Sequence, residues 1–281
     1  MLLSQTLQGQ ISRTYHVYVP DNPLGATVPA IIVFHGGGQD VQTIAARWGI
    51  TPGNPPPPPL DRYLLVFPEA DPRLNDEWVH FHNGDSAFPT YDLLFIDQLL
   101  TAITDPAGYA TGNLAVPNVT VDPLLVYAAG FSNGGGMVWQ LMNSDHVSSF
   151  QGFAAVGKAL DPEKAVQYRQ QLGGVLPNPV PAVYVHGTAD VGFGPPRTLQ
   201  EVPLDTTHPA NTVREMLTRN LIPNAPSVTT LVPGSTNTTE VVVQLFEGGS
   251  AAFEYVTVLG GGHNVRVQVP RRFAGVLSVG A

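Results

Sequence analysis

Short uninterrupted apolar runs recur along the chain, and each closes on glycine, proline or a polar loop. Ile31-Ile32-Val33-Phe34 stops at His35-Gly36-Gly37-Gly38, and Tyr63-Leu64-Leu65-Val66-Phe67 stops at Pro68. Runs of this kind, without polar alternation, predict strands covered on both faces, as in a parallel sheet. Leu124-Leu125-Val126-Tyr127-Ala128-Ala129, Phe153 to Val156 and Val180 to Val185 predict three more. Tyr15-His16-Val17-Tyr18-Val19-Pro20 alternates and is rich in β-formers, which predicts an early strand. Val241 to Phe246 and Phe253 to Leu259 flank a Gly-Gly-Ser turn and predict a late pair. Between them, Leu93, Leu94, Ile96, Leu99, Leu100 and Ile103 fall at helical spacing within Tyr91 to Thr104. Met137 to Met142 and Thr212 to Asn220 predict shorter helices. Strands alternating with helices predict an α/β sandwich around a mostly parallel sheet. The chain shows no repeat and no linker, so residues 1–281 read as one domain. The Pro/Gly-rich stretch from Gly192 to Pro209 reads as a surface excursion or partial lid, and Thr51 to Pro59 as an extended surface loop.

Composition narrows the partners. Only 12% of residues are charged while 43% are apolar, which excludes disorder driven by charge repulsion. The 29 glycines and 27 prolines lie between apolar runs, as tight turns do. The net charge of −9 comes without a basic block, which argues against nucleic acid and anionic membranes as partners. With no cysteine, thiol nucleophiles, zinc–cysteine sites and disulfides are excluded. No apolar run reaches the ~18 residues that a membrane-spanning helix needs. The stretch Met1-Leu2-Leu3-Ser4-Gln5-Thr6 lacks the basic start and long apolar run of a secretory signal, so an intracellular protein and a mature secreted form both remain open.

One local pattern carries chemistry. Gly130-Phe131-Ser132-Asn133-Gly134 fits G-x-S-x-G, and it follows an apolar strand and precedes a helix. Such a turn projects a serine hydroxyl above the sheet, beside the positive end of the helix. Taken alone, the pentapeptide could be a turn with a helix cap. Serine needs a base to become a nucleophile, and the base needs an orienting carboxylate. Asp190, closing His186-Gly187-Thr188-Ala189-Asp190, and His263, closing Gly260-Gly261-Gly262-His263, each follow a predicted strand. Loops after parallel strands converge on one edge of a sheet, so Ser132, Asp190 and His263 can meet there. Asp161, Glu201 and Asp205 are rival acids; His186 and His208 are rival bases, less well placed after a strand. Donors for a developing oxyanion are expected at the Asn133 N–H and in the loop His35-Gly36-Gly37-Gly38-Gln39. Trp78 either stacks on an acyl group or anchors a long loop. His80 and His82 lack a third spaced ligand, so no metal site is expected, and no phosphate loop exists.

The pattern resembles the α/β-hydrolase superfamily. More narrowly it resembles the esterases grouped with polyhydroxybutyrate depolymerases and feruloyl or acetylxylan esterases. The resemblance runs in order from Tyr15 to His263 through the His35 loop, Tyr91-Asp92, Gly130 to Gly135, His186 to Asp190 and Gly261-Gly262-His263. It implies a secreted single-domain monomer without cofactor, with Ser132 as nucleophile, Asp190 as acid, His263 as base, and Gly37 and Asn133 as oxyanion donors. Trp78, Gly36 and Gln39 are the implied substrate contacts. The implied substrates are feruloyl or acetyl esters of plant polysaccharide, or polyesters such as polyhydroxyalkanoate and polyethylene terephthalate. A peptidase or acyltransferase on the same residues, or a non-catalytic polymer- or carbohydrate-binding relative, are the alternatives. The chain departs from the group in having no cysteine and in placing Asn264-Val265-Arg266 where many members have Thr-Trp-Pro after the histidine.

Overall fold

The computed structural model describes residues 2–7, 13–20, 27–51, 54, 56, 58, 60–72, 76–78, 91–104, 119–171, 173, 178–192, 208–223, 225–232 and 240–264. His80, His82 and most of the 192–209 excursion lie outside the described residues.

Among the described residues, ten strands form one sheet. They are β1 (Leu2–Leu7), β2 (Arg13–Tyr18), β3 (Thr27–Phe34), β4 (Leu64–Pro68), β5 (Thr120–Phe131), β6 (Gly152–Val156), β7 (Ala182–Gly187), β8 (Val228–Val232), β9 (Val241–Phe246) and β10 (Phe253–Val258). Their spatial order is β1-β2-β4-β3-β5-β6-β7-β10-β9-β8. The central run from β4 to β10 is parallel, and antiparallel strands border it on both sides. This is the doubly covered sheet that the apolar runs predict. In β3, Ala30, Ile32 and Phe34 enter one core while Ile31 and Val33 enter the other. A strand buried on both faces has no polar position to reveal its period, so it reads as an unbroken run.

Among the described residues, five helices cover the faces: α1 (Val41–Arg47), α2 (Tyr91–Thr104), α3 (Asn133–Met142), α4 (Pro162–Gln171) and α5 (Pro209–Arg219). Asp40 caps α1 by accepting the Thr43 N–H at 2.8 Å. The α5 helix starts three residues before the predicted Thr212, because His208 accepts the Ala210 N–H and Pro209 takes the first helical position. Two helices and two strands fall outside the expectations drawn from the pattern. The α1 segment is seven residues long, too short to display a period. The α4 sequence PEKAVQYRQQ has few apolar positions to display one. The β1 and β8 strands are short edge segments, each paired on one side only.

What matters for function is the parallel block. The β5, β6, β7 and β10 strands run the same way, so the segments leaving Phe131, Val156, Gly187 and Val258 emerge along one edge.

Candidate active site

Ser132 sits between the last residue of β5 and the first of α3, at φ 52° and ψ −117°. Few residues tolerate that region, and strained backbone of this kind gathers at functional sites. The turn is tight enough to forbid side chains on either flank. A Cβ at Gly130 would lie 2.2 Å from the Gly134 carbonyl oxygen, and one at Gly134 would lie 2.3 Å from that of Phe34. The Ser132 N–H donates to the Val156 carbonyl at 2.8 Å, which locks the turn onto β6.

The structure brings the three dispersed candidates together. His263 Nε2 lies 2.8 Å from Ser132 Oγ, and His263 Nδ1 lies 2.7 Å from Asp190 Oδ2. Asp190 is 4% exposed, and its other oxygen accepts the Gly192 N–H at 3.1 Å. A carboxylate only accepts, so the Asp190 contact places the imidazole proton on Nδ1 and leaves Nε2 to accept from the serine hydroxyl. The loops carrying acid and base are fastened to each other. Ala189 N–H donates to Gly261 O at 2.8 Å, and Gly260 N–H donates to Thr188 Oγ1 at 2.8 Å. A Cβ at Gly187 would lie 2.1 Å from Gly261 O, so their close approach also requires glycine. Of the rival acids, Glu201 and Asp205 lie outside the described residues, and the two rival bases go elsewhere. His186 is buried against Tyr255, whose hydroxyl lies 3.1 Å from its Nδ1, and His208 caps α5. Burial pushes the His186 pKa down to about 4, with His208 adding to the effect and Asp190 opposing it.

The glycine loop after β3 faces this turn, and a Cβ at Gly37 would lie 3.5 Å from Asn133 Cβ. Gly36 N–H donates to Gln39 Oε1 at 3.2 Å, and Gly38 N–H donates to Asp76 O at 3.3 Å. Gly36 and Gln39, expected to touch substrate, thus hold each other and shape the loop. His35 braces it from below: Nε2 accepts the Ala70 N–H at 3.0 Å, so Nδ1–H donates to Gly36 O at 2.8 Å. Burial lowers the His35 pKa and keeps the ring neutral, as this pattern requires.

Trp78 corrects an expectation. It is 2% exposed and lies edge-on to Phe34, with ring centroids 5.0 Å apart. Its indole N–H donates to His35 O at 3.1 Å. It anchors the loop from within the core. The Asn133 side chain completes this clamp, since Oδ1 accepts the Trp78 N–H at 2.6 Å and Nδ2 donates to Trp78 O at 3.3 Å. Sequence reasoning assigned Asn133 a backbone role alone. It also missed His35 and Phe131, whose ring lies 5.3 Å from that of His263. The adjacency of His35 to the glycines was the signal available for the former. Among the described residues, no group of three His, Cys, Asp or Glu side chains is placed to hold a metal ion.

A mostly parallel sheet, a sharp turn from β5 into α3 and loops meeting at the strand ends define the α/β-hydrolase fold. Within that fold the chain resembles the esterases. It is 28% identical over 190 residues to feruloyl esterase D of Neurospora crassa, covering 64% of this chain and 53% of that protein. The chain therefore spans about half the length of the curated relative it matches. Among solved structures, a thermostable esterase superposes with a TM-score of 0.56 at 16% identity, over 99% of this chain and 62% of that one. The poly(3-hydroxybutyrate) depolymerase of Bordetella parapertussis gives 0.53 at 14% identity, over 96% of this chain and 85% of that one. No family model matches the chain.

Proposed function

We propose that the protein is a serine carboxylic-ester hydrolase that works through an acyl-enzyme. Its proposed substrates are feruloyl or acetyl esters of plant polysaccharide, or polyesters. The observation that carries this reading is the unbroken relay from Asp190 Oδ2 through His263 to Ser132 Oγ, at 2.7 and 2.8 Å. Ser132 Oγ attacks the ester carbonyl as His263 Nε2 takes its proton. Asp190 holds the ring and stabilises the imidazolium that results. The carbonyl oxygen gains negative charge between the N–H groups of Asn133 and Gly37. Asn133 opens α3, and the positive end of a helix favours negative charge at this point. Gly37 lies on the loop that faces the Ser132 turn, where a Cβ would come 3.5 Å from Asn133 Cβ, which supports it as the second donor. His263 then protonates the departing alcohol, and water repeats the sequence on the acyl-enzyme.

Feruloyl esterase D and the depolymerase name the two substrate families to test first. Purified protein is assayed on a chromogenic acetate, methyl ferulate, polyhydroxybutyrate film and polyethylene terephthalate film. Ser132→Ala should lower turnover on every accepted ester by about three orders of magnitude or more, with circular dichroism unchanged. Undiminished turnover in the pure variant would refute the assignment.

A further inference from the structure

We propose that Arg47, at the end of α1, is a positioning residue that holds His263 over Ser132. The inference rests on the hydrolase reading above. Arg47 stands 217 positions from Asn264, yet its Nη2 donates to Asn264 Oδ1 at 2.8 Å. Its guanidinium carbon also lies 4.0 Å from the centroid of the Phe131 ring. Phe131 immediately precedes the nucleophile, and its ring is 5.3 Å from that of His263 at an angle of 48°. Arg47 therefore grips both the residue after the base and the aromatic floor on which the base rests.

The need for such a grip follows from how the histidine loop is held. On its upstream side, hydrogen bonds from Ala189 and Gly260 tie it to the β7 loop. These bonds secure the end of the ring that meets Asp190. The serine-facing end is different, because the His263 side chain is 43% exposed. A ring tethered at Nδ1 can still swing its Nε2 away from Ser132. Phe131 restrains one face, and Arg47, by holding Asn264, restrains the backbone downstream. The helix that carries Arg47 begins at Val41, capped by Asp40, directly after the loop containing Gly37. Arg47 thereby couples the expected oxyanion loop to the base. A guanidinium suits both tasks, since it stacks on an aromatic face while its N–H fork donates at the edge.

The test reads the position of the base apart from the fold. Arg47→Met, which keeps the stem but removes charge and donors, is compared with Arg47→Lys, Asn264→Ala and the Arg47→Met/Asn264→Ala pair. The readouts are kcat, KM, melting temperature and the rate at which a small fluorophosphonate labels Ser132. Arg47→Met and Asn264→Ala should each lower kcat and labelling rate by about tenfold, because small displacements of a base are costly. KM should stay within about twofold, as expected for an interaction that serves the transition state alone. The double variant should match Arg47→Met, since Asn264 acts through the link that Arg47→Met has already broken, and Arg47→Lys should recover part of the loss. Asn264 is exposed, so its variant folds even if Arg47→Met does not. Wild-type labelling rates in Asn264→Ala, or losses that multiply in the double variant, would overturn the proposal while leaving the triad standing. Absence of labelling in the wild-type protein would remove the hydrolase reading itself, and this inference with it.

Discussion

Trp78 lies beside an exposed carboxylate, Glu77, yet turns inward, and the partners responsible are remote in sequence. Arg13 places its guanidinium carbon 5.2 Å from the Trp78 ring while pairing with buried Asp92, and Phe34 meets the indole edge-on. No pattern within a loop separates a buried tryptophan from a substrate-facing one, because neither lies on a periodic element. The same limit hid Asn133 Oδ1, whose acceptor role depends on the backbone of Trp78. The meeting of Ser132, Asp190 and His263 was legible because each follows an apolar strand. The indole N–H is the donor to His35 O, so Trp78→Phe removes that bond and leaves a buried carbonyl short of a partner. The expected cost is about 1–3 kcal/mol in urea unfolding, with KM for a soluble ester unchanged. Unaltered stability combined with a raised KM would return Trp78 to the substrate site.

At the scale of elements, β5, Ser132 and α3 form one steric unit. Three glycine triplets stand out in the sequence (36–38, 134–136, 260–262), and their positions at the strand ends were readable. Which of those glycines is obligatory was not, because the answer depends on backbone from other strands. Gly134 abuts the Phe34 carbonyl at the end of β3, whereas a Cβ on Gly262 would meet nothing within 4 Å. The two substitutions should therefore diverge. Gly134→Ala must push α3 off β3 or distort the Ser132 turn, and should cost upwards of about 3 kcal/mol together with esterase turnover. Gly262→Ala should unfold at the wild-type temperature. Thermal melts of the two proteins decide this, and equal melting temperatures would mean that the turn is looser than its contacts indicate. Short helices are less legible in the sequence than the turn at Ser132. The seven residues of α1 and the mostly polar α4 carry too little apolar periodicity to announce a helix.

For the whole molecule, the arrangement of alternating strands and helices was legible, but the neighbours of each strand were not. The β7 and β10 strands pair in parallel although α5, β8 and β9 intervene, and that pairing sets Asp190 beside His263. It also stacks His186 of β7 on Tyr255 of β10, with ring centroids 5.4 Å apart and planes 6° from parallel. This stack links global stability to acid. Burial holds the His186 pKa at about 4, whereas in an unfolded chain a histidine titrates near ~6.5. As pH falls through that interval, the unfolded state takes up the proton while the folded state does not. The native state therefore loses stability from about pH 6.5 downward, by at most ~1.4 kcal/mol per unit, until the folded ring is protonated as well. Buried His35, also lowered, adds to the loss with the same sign. His186→Gln cannot titrate, so its unfolding free energy should fall less steeply between pH 6.5 and 4 than that of the wild type, even though the variant starts from a lower value. Urea titrations at several pH values measure both slopes. Parallel slopes would mean that the folded ring accepts its proton as readily as the unfolded one, and the packing of β7 on β10 would then have to open well before the sheet does.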